Sequence, residues 1–196
     1  MKSQATSRER LLEAASELFY RDGVSIGVDA LCKAAGVSKK SMYQLFRSKD
    51  EVIAESLAAR GPYYNALLLP SPDDERPPRD RILAVFERQD ELAASDDYYG
   101  CPFVATAIEL KNPEHPGSVV ARHFKQALTD FFRAELIRGG ADDPDTAAIQ
   151  LTMVFDGASS RSVVRSQPLR GVGVQMASLV LETAGLRAHD LAGHAR

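Results

Sequence analysis

Apolar positions recur at intervals of three and four residues along almost the whole chain, and strict alternation is hard to find, so the pattern predicts an all-α protein. A first helix is expected over residues 7–21. There Leu11, Leu12, Ala15, Leu18 and Phe19 share one face while Glu9, Arg10, Glu13 and Glu17 lie mainly on the other. Thr6 and Glu9 have capping-box spacing at its start, and Gly23 stops it. A short helix over 28–35 turns Val28, Leu31 and Ala35 inward and ends at Gly36. Ser38 then caps a third helix over 39–46, with Met42, Leu45 and Phe46 as its inward residues. Ser48 and Glu51 repeat the capping-box spacing and open a helix from 49 to about 61 or somewhat beyond. Residues 70–78, PSPDDERPP, read as an exposed loop. Five further helices are expected at 79–95, 102–111, 118–138, 144–165 and 171–184, for about nine in total. Asp143 before Pro144 is a start signal; Gly139-Gly140 and Gly185 are stops.

Helix, Gly-containing turn and second helix over about 27–46 form a helix-turn-helix unit packed on a preceding helix. Its turn is AGVS. Gly36 permits positive φ, Val37 can plug the angle between the helices, and Ser38 caps the second. The chain therefore divides into a three-helix domain over 1–50 and a larger helical domain over 51–196. With 196 residues, 44% of them apolar and 26% charged, there is enough material for one domain or two small ones with a real core, which excludes disordered and fibrous classes. No stretch approaches the roughly 18 apolar residues of a membrane span, and the opening MKSQATSRERLLEAA lacks the apolar centre of a signal peptide, so a soluble, cytoplasmic protein is expected, with no membrane partner. The only cysteines, Cys32 and Cys101, are far apart and outside any paired motif, which supports neither a disulfide framework nor a zinc ribbon.

The net charge of −3 is unevenly spread: the first fifty residues are net basic and the remainder net acidic. Within VSKKSMYQLFRSK, Lys39, Lys40, Arg47 and Lys49 stand with no acid among them. A local basic patch on an acidic protein fits a small polyanion-contacting face, although charge alone does not separate that from a solvated surface. The segments RERLLEAASELFYRDG and VDALCKAAGVSKKSMYQLFRSKDEV carry further information, in the ordered set Ala14-Ala15, Leu18-Phe19, Gly23, Leu31, Ala35-Gly36-Val37-Ser38, Tyr43, Phe46 and Ser48-Lys49-Asp50. On these residues the chain resembles the TetR family of transcriptional regulators, which implies an all-α fold whose N-terminal helix-turn-helix reads DNA. Gly27 stands where that family usually has a capping Ser or Thr, Lys40 replaces a frequent Gly, and Leu45 a frequent Tyr or His. These departures fall on or beside the reading surface.

The second helix of such a unit lies in the major groove with its N-terminal residues toward base edges. Lys39, Lys40, Ser41 and Gln44 are therefore the base-reading candidates: Lys can donate to guanine, Gln can hold adenine in a bidentate pair, and Ser accepts several partners. Lys39 and Lys40 can equally divide between base and phosphate. By resemblance, Tyr43 and Lys49 are phosphate contacts, which position the helix without reading sequence.

One module buries too little surface for useful affinity, so a homodimer reading a palindromic double-stranded DNA operator is expected. Its interface is expected on the last two long helices, through Leu151, Val154, Phe155, Ala158 and Ser162 on one and Val172, Met176, Leu179, Val180 and Thr183 on the other. The run 157–160 of small residues would allow close approach. GCPFVATAIEL is apolar nearly all round and reads as a buried helix. In the family such helices line a small-molecule pocket, which makes Phe86, Tyr99, Phe103, Thr106, Glu109, Phe124, Phe131 and Phe155 candidates to line one; the alternative is plain core for the apolar members and a solvent-facing edge position for Glu109. His115 and His123 are too widely separated to argue for metal, His189 and His194 sit in a tail, and no cofactor is implied. Cys32 and Cys101 read as packing residues. With no nucleophile-and-base pair, phosphate loop or metal-spaced cluster, the chain is not expected to be an enzyme. The expected function is a repressor released by an unknown small molecule; the alternative is a ligand-independent regulator or activator with an architectural second domain.

Overall fold

The computed structural model describes residues 5–187. Among them are nine helices and no strand: α1 (Ser7–Asp22), α2 (Val28–Ala35), α3 (Lys39–Leu45), α4 (Lys49–Leu68), α5 (Pro78–Ala93), α6 (Pro102–Leu110), α7 (Pro116–Arg138), α8 (Pro144–Arg165) and α9 (Val172–Thr183). His189 and His194 lie outside the described residues.

Local chemistry sets most of these boundaries. Thr6 accepts from the Glu9 N–H while Glu9 reaches back to the Thr6 N–H, completing the expected capping box of α1. Gly36 ends α2 in the left-handed region at φ 62°, and Ser38 opens α3 by accepting from the Ser41 N–H at 3.0 Å. Asp143 caps α8 through the Thr146 N–H, with Pro144 at the first helical position. At α4 the box is modified: Ser48 accepts from the Glu51 N–H, but the Glu51 carboxylate takes the N–H of Arg47.

α4 runs a turn and a half past the breaker signal of Gly61-Pro62. Proline inside a helix removes one hydrogen bond, and the burial of Tyr64 and Leu68 beyond it offsets that loss. A second departure is Leu45, expected inward but exposed: in a two-turn helix Met42 and Phe46, four residues apart, occupy the inner face and leave Leu45 outside it.

The chain forms two compact units. The first holds residues up to Asn65 together with Cys101–Lys125, and so contains α1 to α3, most of α4, α6 and the start of α7. Its core is Leu11, Ala15, Phe19, Leu31, Met42, Phe46, Val52 and Ile53, with α1 packed against α2 and α3. The buried Cys32 thiol sits 3.8 Å from the sulfur of Met42, and burial pushes its pKa up. The second unit holds Ala66–Gly100 and the residues from Gln126 onward. There α5, α8 and α9 pack together over Phe86, Phe132, Leu151, Phe155, Ala177 and Leu181. Arg81 and Glu135 form a buried ion pair at 2.9 Å, satisfied further by Arg138 on Glu135 and by the carbonyls of Ser71 and Asp74 on Arg81.

Candidate DNA-binding surface

The reading surface is built by burying one face of α3. Met42 and Phe46 anchor it in the first unit's core, which leaves Lys39, Lys40, Tyr43, Gln44 and Leu45 exposed. Tyr43 is 54% exposed, so its ring is not a core residue. Lys39 bends back over α2 to meet Asp29 at 2.7 Å, and that carboxylate raises the lysine's pKa. Both partners are largely exposed, so little holds the pair closed and Lys39 can exchange Asp29 for another anion. Ser41 is half-buried, its hydroxyl 2.9 Å from that of Ser38, and part of its hydrogen-bonding capacity serves the cap. Gly27 begins α2 with no side-chain cap, leaving the first N–H groups of that helix for another acceptor.

Lys49 has a structural role that spacing could not reveal. Its ammonium donates to the Val24 carbonyl in the turn between α1 and α2 and lies 6.0 Å from the Phe19 ring centre. The same turn is gripped from the other side by α6. Glu109 accepts from the backbone N–H of both Val24 and Ser25, each at 2.8 Å. Gly23 makes room for this contact: its φ is +86°, and a Cβ there would stand 2.8 Å from the carboxylate. His115, between α6 and α7, accepts from the Gly117 N–H at Nδ1, so its proton is on Nε2, 3.3 Å from Asp50 at the start of α4. No signal in the sequence links residues 23–25 with 109, some 85 positions away.

Of the pocket candidates, Phe103, Thr106, Glu109 and Phe124 belong to the first unit and Phe86, Tyr99, Phe131 and Phe155 to the second. In the first, Phe103 and Phe124 stack with ring centres 3.6 Å apart and Tyr64 packs edge-on to both. Thr106 borders a cavity of about 20 Å³ with Arg60, Tyr20 and Phe19, the size of one water molecule. The Glu109 carboxylate is occupied by the α1–α2 turn, because two adjacent backbone donors there point at it. In the second unit Phe86 stacks on Phe132 and meets Phe155 edge-on. Phe131 is only half-buried, since its neighbour Phe132 takes the inner position, and Tyr99 is 39% exposed. A buried residue missed from sequence is Gln89, whose amide donates to the Phe155 carbonyl and the Ser159 hydroxyl.

The face expected on α8 for dimerisation also needs correction. Leu151, Phe155 and Ser162 are buried within the chain itself. The exposed apolar stripe of α8 is Ile149, Met153, Gly157, Ser160 and Val164, about half a helical turn away around the axis. On α9 the expected Val172, Met176, Leu179 and Thr183 are exposed, while Val180 is half-buried. Among the described residues no group of three or more His, Cys, Asp or Glu is placed to hold a metal ion, and no helix is long and apolar enough to cross a membrane.

A buried-anchor, exposed-helix arrangement of this kind, entered through an αL glycine and a serine cap, defines a helix-turn-helix DNA-binding protein. A family model described as bacterial regulatory proteins, tetR family, matches residues 11–56. The HTH-type transcriptional regulator YjdC of Escherichia coli (strain K12) is 30% identical over 116 residues, 59% of this chain and 61% of that protein, so the match spans less than two thirds of that relative. Among solved structures, a chain described as a TetR-type transcriptional regulator from Streptomyces avermitilis is 54% identical, with 92% of this chain and 99% of that one covered and a TM-score of 0.90. A TetR transcriptional regulator from Chloroflexus aurantiacus shares the fold at 21% identity, with 90% and 94% covered and a TM-score of 0.76. The chain belongs to the TetR family and is a DNA-binding transcriptional regulator.

Proposed function

We propose that the protein is a cytoplasmic repressor that binds a palindromic operator as a homodimer and is released from it by a small molecule. The observation that carries the reading is the exposed, acid-free face of α3; on it we assign Lys39, Lys40, Ser41 and Gln44 to base edges and Tyr43 to phosphate. Lys49 secures the α1–α2 turn with one N–H and keeps the rest of its ammonium for a phosphate. The exposed stripes of α8 and α9 support dimerisation. They carry large apolar side chains at spacings of three and four, with Gly157 and Ser160 allowing close approach, and a contiguous exposed apolar face of this kind marks an interaction surface. Release requires that the molecule bind the DNA-competent and incompetent states with different affinity. The hold of α6 on the α1–α2 turn supports such coupling, because a shift of α6 reaches the helix-turn-helix directly.

Selection of duplexes from a random pool by the full-length protein, followed by binding at two salt concentrations, tests the reading. A palindrome with half-site centres about one helical turn apart, or somewhat more, is the expected result. Recovery of no motif, with binding that vanishes in modest salt, would leave only non-specific phosphate affinity and overturn it.

A further inference from the structure

On the side of α6 that does not grip the α1–α2 turn, a groove of about 410 Å³ opens between α6 and the start of α7. Val104, Ala107 and Ile108 line it from α6 at the i, i+3, i+4 spacing of one helical face, Lys111 lines it from the C-cap of that helix, and Phe103 and Ala121 add apolar wall. Ile108 is 65% exposed, a large aliphatic side chain left in water. The polar lining is of one sign: Lys111, Arg122 and Lys125, with Asn112 and no acidic residue. Arg122 uses one N–H on the Pro113 carbonyl at 3.2 Å, and the fork has others to offer. Ser118 also lines the groove. It is 6% exposed, its buried hydroxyl oxygen has no hydrogen-bond partner, and it stands in the first turn of the 23-residue α7, where backbone N–H groups favour an anion.

An apolar wall with cations along it, a donor hydroxyl lacking its partner and a helix N-terminus together describe a ligand with one anionic end and an apolar body. We infer that this groove is an effector site for a small amphiphilic carboxylate, seated in the unit that carries the helix-turn-helix. The carboxylate meets Ser118, Lys111 and Arg122, and the hydrocarbon covers Ile108, Ala107 and Val104. The groove's own elements hold the DNA-reading helices. Glu109 binds the α1–α2 turn, His115 faces Asp50, and Gly117 is packed so closely that a Cβ there would lie 3.0 Å from Ile53. A ligand that shifts α6 against α7 therefore disturbs the start of α4 and the turn before α2 together. The inference rests on the regulator reading above and names the class of molecule that would act on it.

Titration calorimetry of the full-length protein with decanoate tests the site, with decanol as the neutral comparator. Decanoate is expected to bind once per chain. The double variant K111Q/R122Q should weaken decanoate about tenfold or more while leaving decanol unchanged. Ile108→Glu, at a position 65% exposed, should abolish decanoate binding while the far-ultraviolet circular dichroism stays as in the parent. Equal affinity for decanol and decanoate, or full binding by K111Q/R122Q, would overturn the site. Fluorescence anisotropy on a selected duplex then tests the effector role: decanoate should lower DNA affinity in the parent protein and not in K111Q/R122Q, and binding without that change would overturn the role. A selected duplex with no decanoate binding defeats this inference alone, whereas failure to select any duplex defeats the regulator reading and leaves the calorimetry to stand.

Discussion

Replacing Glu109 with alanine removes an acceptor from two adjacent backbone donors. The two losses are unequal. Ser25 is exposed, and water replaces the carboxylate at its N–H at small cost; Val24 is buried, and its N–H loses a charge-assisted partner within the fold. A hydrogen bond to a charged group contributes roughly 1.5 to 3 kcal/mol where water is excluded and less where it is not, so about 2 kcal/mol of local stability in the α1–α2 turn is at stake. Amide hydrogen exchange reads this directly. In the variant, protection at Val24 and Ser25 should fall by about thirtyfold, the ratio that 2 kcal/mol implies, while amides of α8 and α9 keep theirs. Glu109→Gln, whose amide has only one oxygen to accept with, should fall between parent and alanine variant. DNA affinity should drop for every sequence alike with the salt slope unchanged, because no phosphate contact is lost. Unchanged protection at Val24 and Ser25 in the alanine variant would refute the assignment of Glu109 as the tie between α6 and the turn.

Other consequences are open to measurement. Lys49→Ala should weaken binding to all duplexes and reduce the dependence of log K on log salt by about one phosphate contact; a parental slope, with only stability lowered, would assign Lys49 wholly to the Val24 carbonyl. Glu135→Ala leaves the buried Arg81 with the Asp74 carboxylate, 3.9 Å away, in place of its direct ion pair and should cost about 2 kcal/mol in urea unfolding, and a loss below about 1 kcal/mol would mean that Asp74 and the Ser71 carbonyl suffice for the guanidinium. Arg76 holds the Asp74 carboxyl down to about 2. Since this folded value lies below the ordinary aspartate value of about 3.9, the Asp74 contribution is fully present above about pH 4 and disappears as pH falls through about 2; carbon-13 titration of the Asp74 carboxyl checks it, a midpoint near 4 counting against the pairing. Met153→Asp with Leu179→Asp alters two exposed positions and should leave the chain folded while raising the dimer dissociation constant by about a hundredfold or more in analytical ultracentrifugation. An unaffected dimer would place the interface elsewhere.

The sequence by itself determined the helices and the reading head. Their boundaries are written in local chemistry: Thr6 with Glu9, Gly36 followed by Ser38, and Asp143 before Pro144 each act within four residues, so spacing is enough to find them. The exposed residues of α3 follow from the same periodicity once Met42 and Phe46 are set inward. Periodicity fails where a helix has two apolar faces, because it marks a face without saying what covers it. On α8, Leu151 and Phe155 face the chain's own core, and Met153 and Val164 face outward. It fails likewise in a short helix, where Leu45 and Phe46 satisfy the pattern almost equally and only packing chooses between them. Glu109 marks the firmest limit. As a carboxylate on an otherwise apolar helix it invites reading as a ligand contact, and only the fold brings it within 2.8 Å of two N–H groups that lie far away along the chain. Contacts of that separation depend on how the helices pack, which no local rule of spacing encodes.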